Sequence, residues 1–197
     1  MRRTKHQPMA HDEAQRLFAL WMKKGEDEGA IVAATLVEDR LGFAIKAHFV
    51  ELPTRGDVAK ILTETALFDG YGPLASFVAK IDVASALGIL TPERRRDFHV
   101  IRSIRNDFAH ALEPLTFSND DVLRKLNRLS TYGTLSEFKQ EFKGSPGTAT
   151  KRFFFRYCSY YGGYLTGHAD AFMAARDIDR KMRSTASSAK SSSGEKR

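Results

Sequence analysis

Apolar residues recur at three- and four-residue intervals along almost the whole chain, and no stretch shows sustained alternation of apolar and polar residues. This spacing collects apolar side chains on one face of an α-helix, whereas a half-buried strand needs a period of two. The sequence therefore predicts an all-α fold, a single compact bundle of six to eight helices. A length of 197 residues fits one such domain with terminal extensions.

Capping residues, prolines and glycines indicate where the helices begin and end. Thr91-Pro92 is a typical helix start, and Pro73 with Gly88 gives the usual pairing of proline at a start and glycine at an end. We expect a bend at Gly162-Gly163. The predicted helices cover about residues 12–24, 30–52, 57–67, 73–88, 92–112, 118–129 and 148–182.

The ends of the chain differ in composition from its body. Residues 8–183 form the predicted helical domain, and the Ser/Lys-rich residues 184–197 are expected to be disordered. Residues 1–5 and 176–197 together hold ten Lys and Arg against three acids, so the remaining body holds 21 of each sign although the whole chain carries +7. A positive charge confined to the ends predicts weak, salt-sensitive attraction to polyanions and no sequence-specific reading of DNA.

Several classes of protein are disfavoured by the sequence. No segment approaches about 18 uninterrupted apolar residues, and residues 9–20 carry charges where a signal peptide needs an apolar region. We therefore expect a cytoplasmic protein without a membrane segment. The single cysteine, Cys158, permits no internal disulfide and is expected to be a small buried hydrophobe. No metal-ligand spacing occurs, so no metal and no cofactor are predicted.

A turn rich in glycine lies between the third and fourth predicted helices. Its residues Asp69, Gly70, Gly72 and Pro73 belong to a literal match to the G-x-G-x-x-A pattern of dinucleotide-binding turns. No strand precedes the match, and Pro73 removes one backbone N–H that would face a pyrophosphate. We interpret the segment as a tight turn, with positive φ at one or both glycines, that orients the next helix.

Arg105, Asn106 and His110 resemble the Arg-polar-x3-His active-site signature of HEPN-domain ribonucleases. In that family, which needs no metal, the histidine handles the proton of the ribose hydroxyl or of the leaving oxygen, and the arginine stabilises charge on the phosphate. On a regular helix Asn106 and His110 share a face, whereas Arg105 and His110 lie about 140° apart. The alternative is structural: a buried tie made by the arginine and a histidine at a helix C-terminus.

Successive phrases between about residues 67 and 122 resemble the mannitol operon repressor (MtlR-type) family. The phrases are Phe68-Asp69-Gly70-Tyr71-Gly72-Pro73-Leu74, Ala86-Leu87-Gly88-Ile89-Leu90, Ile104-Arg105-Asn106 and Phe108-Ala109-His110. The resemblance implies a compact helical bundle associated with transcriptional control of a sugar-alcohol operon. Since no helix-turn-helix or basic recognition element is evident, we expect regulation through a protein partner.

An aromatic run on the last predicted helix bears on assembly. Phe153, Phe154, Phe155, Tyr157, Tyr160, Tyr161 and Tyr164 cover most of the helix circumference. The pattern favours packing, partly against a second copy in a homodimer, over a stacking platform for single-stranded nucleic acid. Two functions thus stay open: a non-enzymatic regulatory protein, which the family resemblance favours, and a metal-independent endoribonuclease that would use Arg105 and His110 on RNA.

Overall fold

The computed structural model describes residues 11–49 and 66–194, with side chains placed for residues 16–49 and 66–185. Within these ranges the chain is all-α, with no strand and one isolated bridge between Thr131 and Gly133. This confirms the predicted fold class. The helices are α1 (His11–Lys23), α2 (Glu26–Ala47), α3 (Ala66–Phe68), α4 (Phe77–Ala86), α5 (Pro92–His110), α6 (Asp120–Leu126), α7 (Leu135–Glu141) and α8 (Pro146–Gly194).

Helices α2 and α8 form the centre of the bundle, and α1, α4 and α5 pack around α2. The buried face of α2 carries small residues, among them Gly29, Ala30 and Ala33. A Cβ atom on Gly29 would lie 2.8 Å from Cζ of Phe155 on α8. Small residues on α2 therefore let the large rings of α8 approach its backbone closely, which gives the dense packing expected of a protein core.

The aromatic run on α8 is buried within one chain. Phe154, Phe155, Tyr157 and Tyr161 have no exposed surface, and Phe153 is 2% exposed. The expectation that a single chain could not cover this helix was wrong, because α1, α2, α6 and α7 surround it. Five of the seven rings are core residues, and Tyr160 and Tyr164 are partly buried against them, so this stretch supplies neither a stacking platform for nucleic acid nor an argument for a homodimer.

Helix α2 begins and ends earlier than the sequence predicts. It starts at Glu26, where Gly25 is the N-cap and three acidic residues occupy the first turn, a favourable place for negative charge. It ends at Ala47 instead of continuing to residue 52, and the backbone N–H of His48 turns back to the carbonyl of Ile45 at 3.0 Å. The predicted stop at Pro53, and nearly all of the predicted helix over 57–67, lie outside the described residues.

Helix α4 begins at Phe77, four residues after the predicted start at Pro73. Ser76 is its N-cap, and the serine hydroxyl accepts a hydrogen bond from the N–H of Ala79 at 3.2 Å. The backbone before it is held in a turn by hydrogen bonds from Leu74 to the carbonyl of Leu67 and from Ala75 to that of Gly72. The proline thus belongs to the turn, and serine capping fixes the helix start.

The second half of the chain follows the predicted order with one addition. Thr91 caps α5 as predicted, and Asn119 caps α6, which ends at Leu126 instead of residue 129. Helix α7 was not predicted from the sequence, although it has a complete capping box between Thr134 and Glu137. This helix has only two turns, which is too short to show a clear apolar period.

Helix α8 runs through Gly162 and Gly163 without a break. The helix continues to Gly194, so it includes most of the segment for which the sequence predicts disorder. Residues 179–185 are exposed, so this part of the helix is not held by the core. The order of residues 184–197 in solution stays a prediction.

Candidate functional site

The last turns of α5 present the Arg105, Asn106 and His110 motif, and the structure directs its members to different surroundings. Arg105 lies beside α2, with Nη2 4.0 Å from Oε2 of Glu38 and Nη1 donating to Oδ1 of Asn106 at 3.4 Å. Glu38 is also bonded to the largely buried Lys80 of α4, whose Nζ lies 2.8 Å from Oε1. Arg105 therefore belongs to a charge cluster that joins α2, α4 and α5.

His110 is the last residue of α5 and is exposed. Together with Asn106 it lines an open groove between the end of α5, the loop that follows it, and α6. Arg105 does not line this groove. This agrees with helix geometry, which puts Arg105 and His110 about 140° apart around the helix axis. We call this surface the α5–α6 groove; it is lined by Asn106, Asp107, His110, Ala111, Leu115, Asn119, Asp121, Val122, Arg124, Lys125 and Arg128.

The charges of the α5–α6 groove are mostly paired. Lys125 binds Asp107 of α5, and Arg124 binds Asp121 one turn away on α6. The side chains of Arg128 and His110 make no hydrogen bond or ion pair with any residue in the described part of the chain. As far as the described residues show, the groove thus offers one permanent cation and one imidazole without a partner to a ligand.

Apolar surface adjoins these polar groups. Leu112 follows the groove residue Ala111 and is fully exposed, and Leu115 lines the groove and is partly buried. Protein interfaces combine an apolar centre with a polar rim, and Leu112 beside the polar side chains of the groove offers both kinds of contact. The composition of the groove fits a protein ligand better than a small anion, since only one of its four cationic or basic groups is an unpaired permanent charge.

The glycine-rich turn is a structural element that supports α4. Gly70 adopts φ of +58°, whereas Gly72 is required for space, because a Cβ there would lie 2.5 Å from the carbonyl oxygen of Leu67. Tyr71 between them is fully exposed. One positive φ and one close backbone approach are what a tight turn needs. Asp69 and Pro73 complete the turn, and no strand precedes it within the described residues.

The arginine run at the start of α5 is engaged with its neighbours. Arg94 stacks over the ring of Tyr164 at 4.2 Å and donates to its hydroxyl. Arg95 pairs with Asp82, and Arg96 lies 3.6 Å from Glu93. The hydrogen bond from Arg95 lowers the pKa of Asp82. These arginines are therefore partnered within the chain and do not form a free basic recognition surface.

Residues 11–49 and 66–194 contain no candidate metal site and no helix that could cross a membrane. No three His, Cys, Asp or Glu side chains there approach one another closely enough to hold a metal ion. None of the helices described is both long enough and apolar enough to cross a membrane.

Comparison with solved structures identifies the fold. A chain in the X-ray structure of the MtlR-HPr complex from Escherichia coli is similar over 78% of this chain and 98% of that chain, with a TM-score of 0.60 and 16% sequence identity. The chain described here therefore has an MtlR-like fold, which the sequence resemblance implied. No protein-family model matches the sequence, and no curated protein matches it. At 16% identity the likeness concerns the fold, and function has to be argued from the site.

Several residues in and beside the groove were not predicted from the sequence. Leu112 and Arg128 lie in loops and Arg124 in the two-turn helix α6, and no periodic pattern connects them with His110. The approach of His48 to His168, which are 120 positions apart, was also not predicted. The one available signal was the loop after α5, where an isolated leucine stands between Ala111 and Glu113.

Proposed function

We propose that this chain is a non-enzymatic regulatory protein of the mannitol operon repressor type, which acts in the cytoplasm by binding another protein. The observation that carries the proposal is the likeness of its fold to nearly the full length of a chain in the MtlR-HPr complex. That structure is of a protein-protein complex. By analogy, we expect this chain to bind HPr or a protein of the same kind. That contact would affect transcription.

The α5–α6 groove is the surface that we assign to the partner. Three features support this choice: an exposed apolar side chain at Leu112, and a cation at Arg128 and an imidazole at His110 that have no partner among the described residues. A few residues carry most of the affinity of a protein interface, and arginine is enriched among them. We expect the partner to present an apolar side chain to Leu112 and a carboxylate to Arg128.

Sequence-specific DNA binding is not part of the proposal. The side chains of the arginine run of α5 are bound to Tyr164, Asp82 and Glu93. A protein that reads bases needs arginine or lysine side chains free to enter a groove. Control of transcription would therefore depend on the bound protein.

Self-association stays a prediction, and it now depends on the later part of α8 instead of the aromatic run. Among the α8 residues with placed side chains, the exposed large apolar ones are Phe172, Ile178 and Met182, with 37%, 59% and 68% of their surface accessible. They lie beyond the covered aromatic run and support a homodimer through this end of the helix. Light scattering tests it: a mass of twice 22.1 kDa at tens of micromolar supports a dimer, and a single-chain mass refutes it.

Calorimetric titration with HPr tests the proposed function. We expect wild-type protein to bind HPr from the same organism, and Leu112→Asp and Arg128→Glu each to weaken binding by about tenfold, equivalent to about 1.4 kcal/mol. The matched controls are Leu20→Asp and Arg96→Glu, which change an exposed leucine and an exposed arginine elsewhere on the surface. Equal losses in controls and groove variants would place the partner elsewhere. No binding by wild type to this HPr or to Escherichia coli HPr would refute the proposed partner.

The ribonuclease hypothesis is the second candidate, and one observation favours it: His110 and Asn106 share an open groove. The hypothesis also requires Arg105 to act on the same phosphate, and Arg105 contacts Glu38. If the hypothesis holds, purified protein cleaves single-stranded RNA in EDTA, and His110→Ala and Arg105→Ala each lower the rate by orders of magnitude. We expect no cleavage that depends on these residues.

A further inference from the structure

Two histidines meet at the contact between the two central helices. His48 is the C-cap residue of α2, and His168 lies in the middle of α8. Their Nε2 atoms are 3.0 Å apart, which is a hydrogen-bond distance. The ring of Phe172, one turn further along α8, lies on His48 with a centroid distance of 3.8 Å. The imidazole of His48 is thereby held in place.

The two imidazoles point directly at each other. Their ring centroids are 5.3 Å apart and their planes differ by 10°. The centroid distance exceeds the 3.0 Å nitrogen distance by about twice the radius of an imidazole ring, so the two centroids and the two Nε2 atoms lie nearly on one line. The rings are therefore coplanar and head to head, and one N–H points at the lone pair of the opposite nitrogen.

The hydrogen bond between the two Nε2 atoms forms only when one of them carries a proton and the other does not. A neutral imidazole carries one proton on either Nδ1 or Nε2, so the neutral pair forms the bond when one ring is the Nε2–H tautomer and the other the Nδ1–H tautomer. A single added proton preserves the bond, because an imidazolium Nε2–H still faces an unprotonated Nε2. A second added proton leaves two donors and two positive charges facing each other, and the bond is lost.

We propose that His48 and His168 form a pH-sensitive clasp that fixes the C-terminal end of α2 to α8 at neutral pH and releases it in mild acid. Release requires no ligand and affects the largest helix contact of the bundle, between α2 and α8. The proposal is independent of the partner-binding function.

The described groups beside the two imidazoles are Arg176, Tyr164 and Arg94. The guanidinium of Arg176 donates to the carbonyls of Ala47 and Phe49, beside His48. Tyr164, whose ring lies 6.3 Å from that of His168, donates a hydrogen bond from its hydroxyl to the carbonyl of Ile89. Arg94, stacked on Tyr164, is the other cation on this side, and no carboxylate of the described residues raises the pKa of either imidazole.

The direction of the pH dependence follows from the two pKa shifts. Burial lowers the pKa of both histidines from the ordinary 6.5, and the charge of His168 lowers that of His48 further. The folded protein thus binds fewer protons than the unfolded chain between the lowered values and 6.5, so the contribution of the pair to stability is complete above about pH 6.5 and is lost as the pH falls.

Nitrogen-15 NMR of the histidine side chains in full-length protein tests the clasp. At pH 7.5 we expect one of the two histidines as the Nδ1–H tautomer and the other as the Nε2–H tautomer. On acidification the pair should take up its two protons in steps at least one pH unit apart. In His168→Gln, His48 should titrate in one step shifted toward 6.5, whereas the control His110→Gln should leave both steps unchanged.

Amide hydrogen exchange supplies the structural readout. After correction for the intrinsic pH dependence, exchange at residues 45–49 should accelerate at least tenfold in wild type between pH 7.5 and pH 5. Both histidines as the Nε2–H tautomer at pH 7.5, or two overlapping titration steps that the partner substitution does not change, would overturn the proposal. Because these two results are measured on the wild type, they decide the question even where a variant does not fold.

Discussion

Asp97 offers the sharpest test of what holds the second half of the bundle together. It lies on α5 with 1% of its surface exposed, and its Oδ2 accepts hydrogen bonds from the hydroxyl of Tyr161 at 2.7 Å and from the N–H of Thr131 at 3.2 Å. Its Oδ1 accepts from the N–H of Ser130 at 3.4 Å. One carboxylate thus joins α5, α8 and the loop before α7.

The free energy of unfolding should fall by about 3–5 kcal/mol in Asp97→Ala. A hydrogen bond to a charged acceptor contributes about 1.5–3 kcal/mol, and leaving the buried Tyr161 hydroxyl without an acceptor adds about 1–3 kcal/mol. Burial, together with the bond to Asp97, raises the pKa of Tyr161, so its hydroxyl remains a donor. Since small domains have about 5–15 kcal/mol in total, the loss is a large fraction of stability.

Urea unfolding of wild type, Asp97→Ala, Tyr161→Phe and the double variant measures these terms. Tyr161→Phe should cost about 1.5–3 kcal/mol, because the carboxylate retains its two backbone donors. The double variant should lose about 1–2 kcal/mol less than the sum of the single losses, since no orphaned hydroxyl remains. A cost below about 1 kcal/mol for Asp97→Ala, or strict additivity, would refute the reasoning.

Three further predictions concern the turn, the thiol and the tail. Gly72→Ala should lower stability by about 1–3 kcal/mol in thermal unfolding, because its Cβ meets a backbone oxygen, whereas the helical control Gly163→Ala, with open space around it, should not destabilise. Burial raises the pKa of the Cys158 thiol, so a thiol reagent should modify it only at the rate of unfolding; fast modification of native protein would contradict its burial. Removing residues 1–5 and 184–197 should abolish most salt-sensitive DNA binding without changing the melting temperature, and a lower melting temperature would show that the ends pack on the domain.

Local signals in the sequence predicted much of the architecture. Thr91 and Pro92 start α5 where expected, α6 begins at Asp120 within two residues of the predicted start, and the glycine-rich segment is a turn with positive φ at Gly70. Each of these depends on one residue and its immediate backbone, which is why the sequence suffices. The all-α class follows from the same kind of evidence, since helical periodicity is a local property.

Properties set by contacts between distant segments could not be predicted. The close packing of Phe155 on α2 depends on Gly29, more than 100 positions away. The separation of Arg105 from His110 depends on Glu38, whose position beside α5 no periodic pattern reveals. The angular spacing on a helix gave the only warning that the two would face different surroundings.

The central claim is that a partner protein binds the α5–α6 groove, and chemical-shift mapping tests it most directly. In a nitrogen-15 spectrum of the full-length protein titrated with unlabelled HPr, the account predicts shifts concentrated between Asn106 and Arg128, with the largest near His110 and Leu112. Leu112→Asp should remove them at the same HPr concentration. Saturable shifts confined to another face of the bundle, or no shifts at concentrations that support calorimetric binding, would contradict the claim.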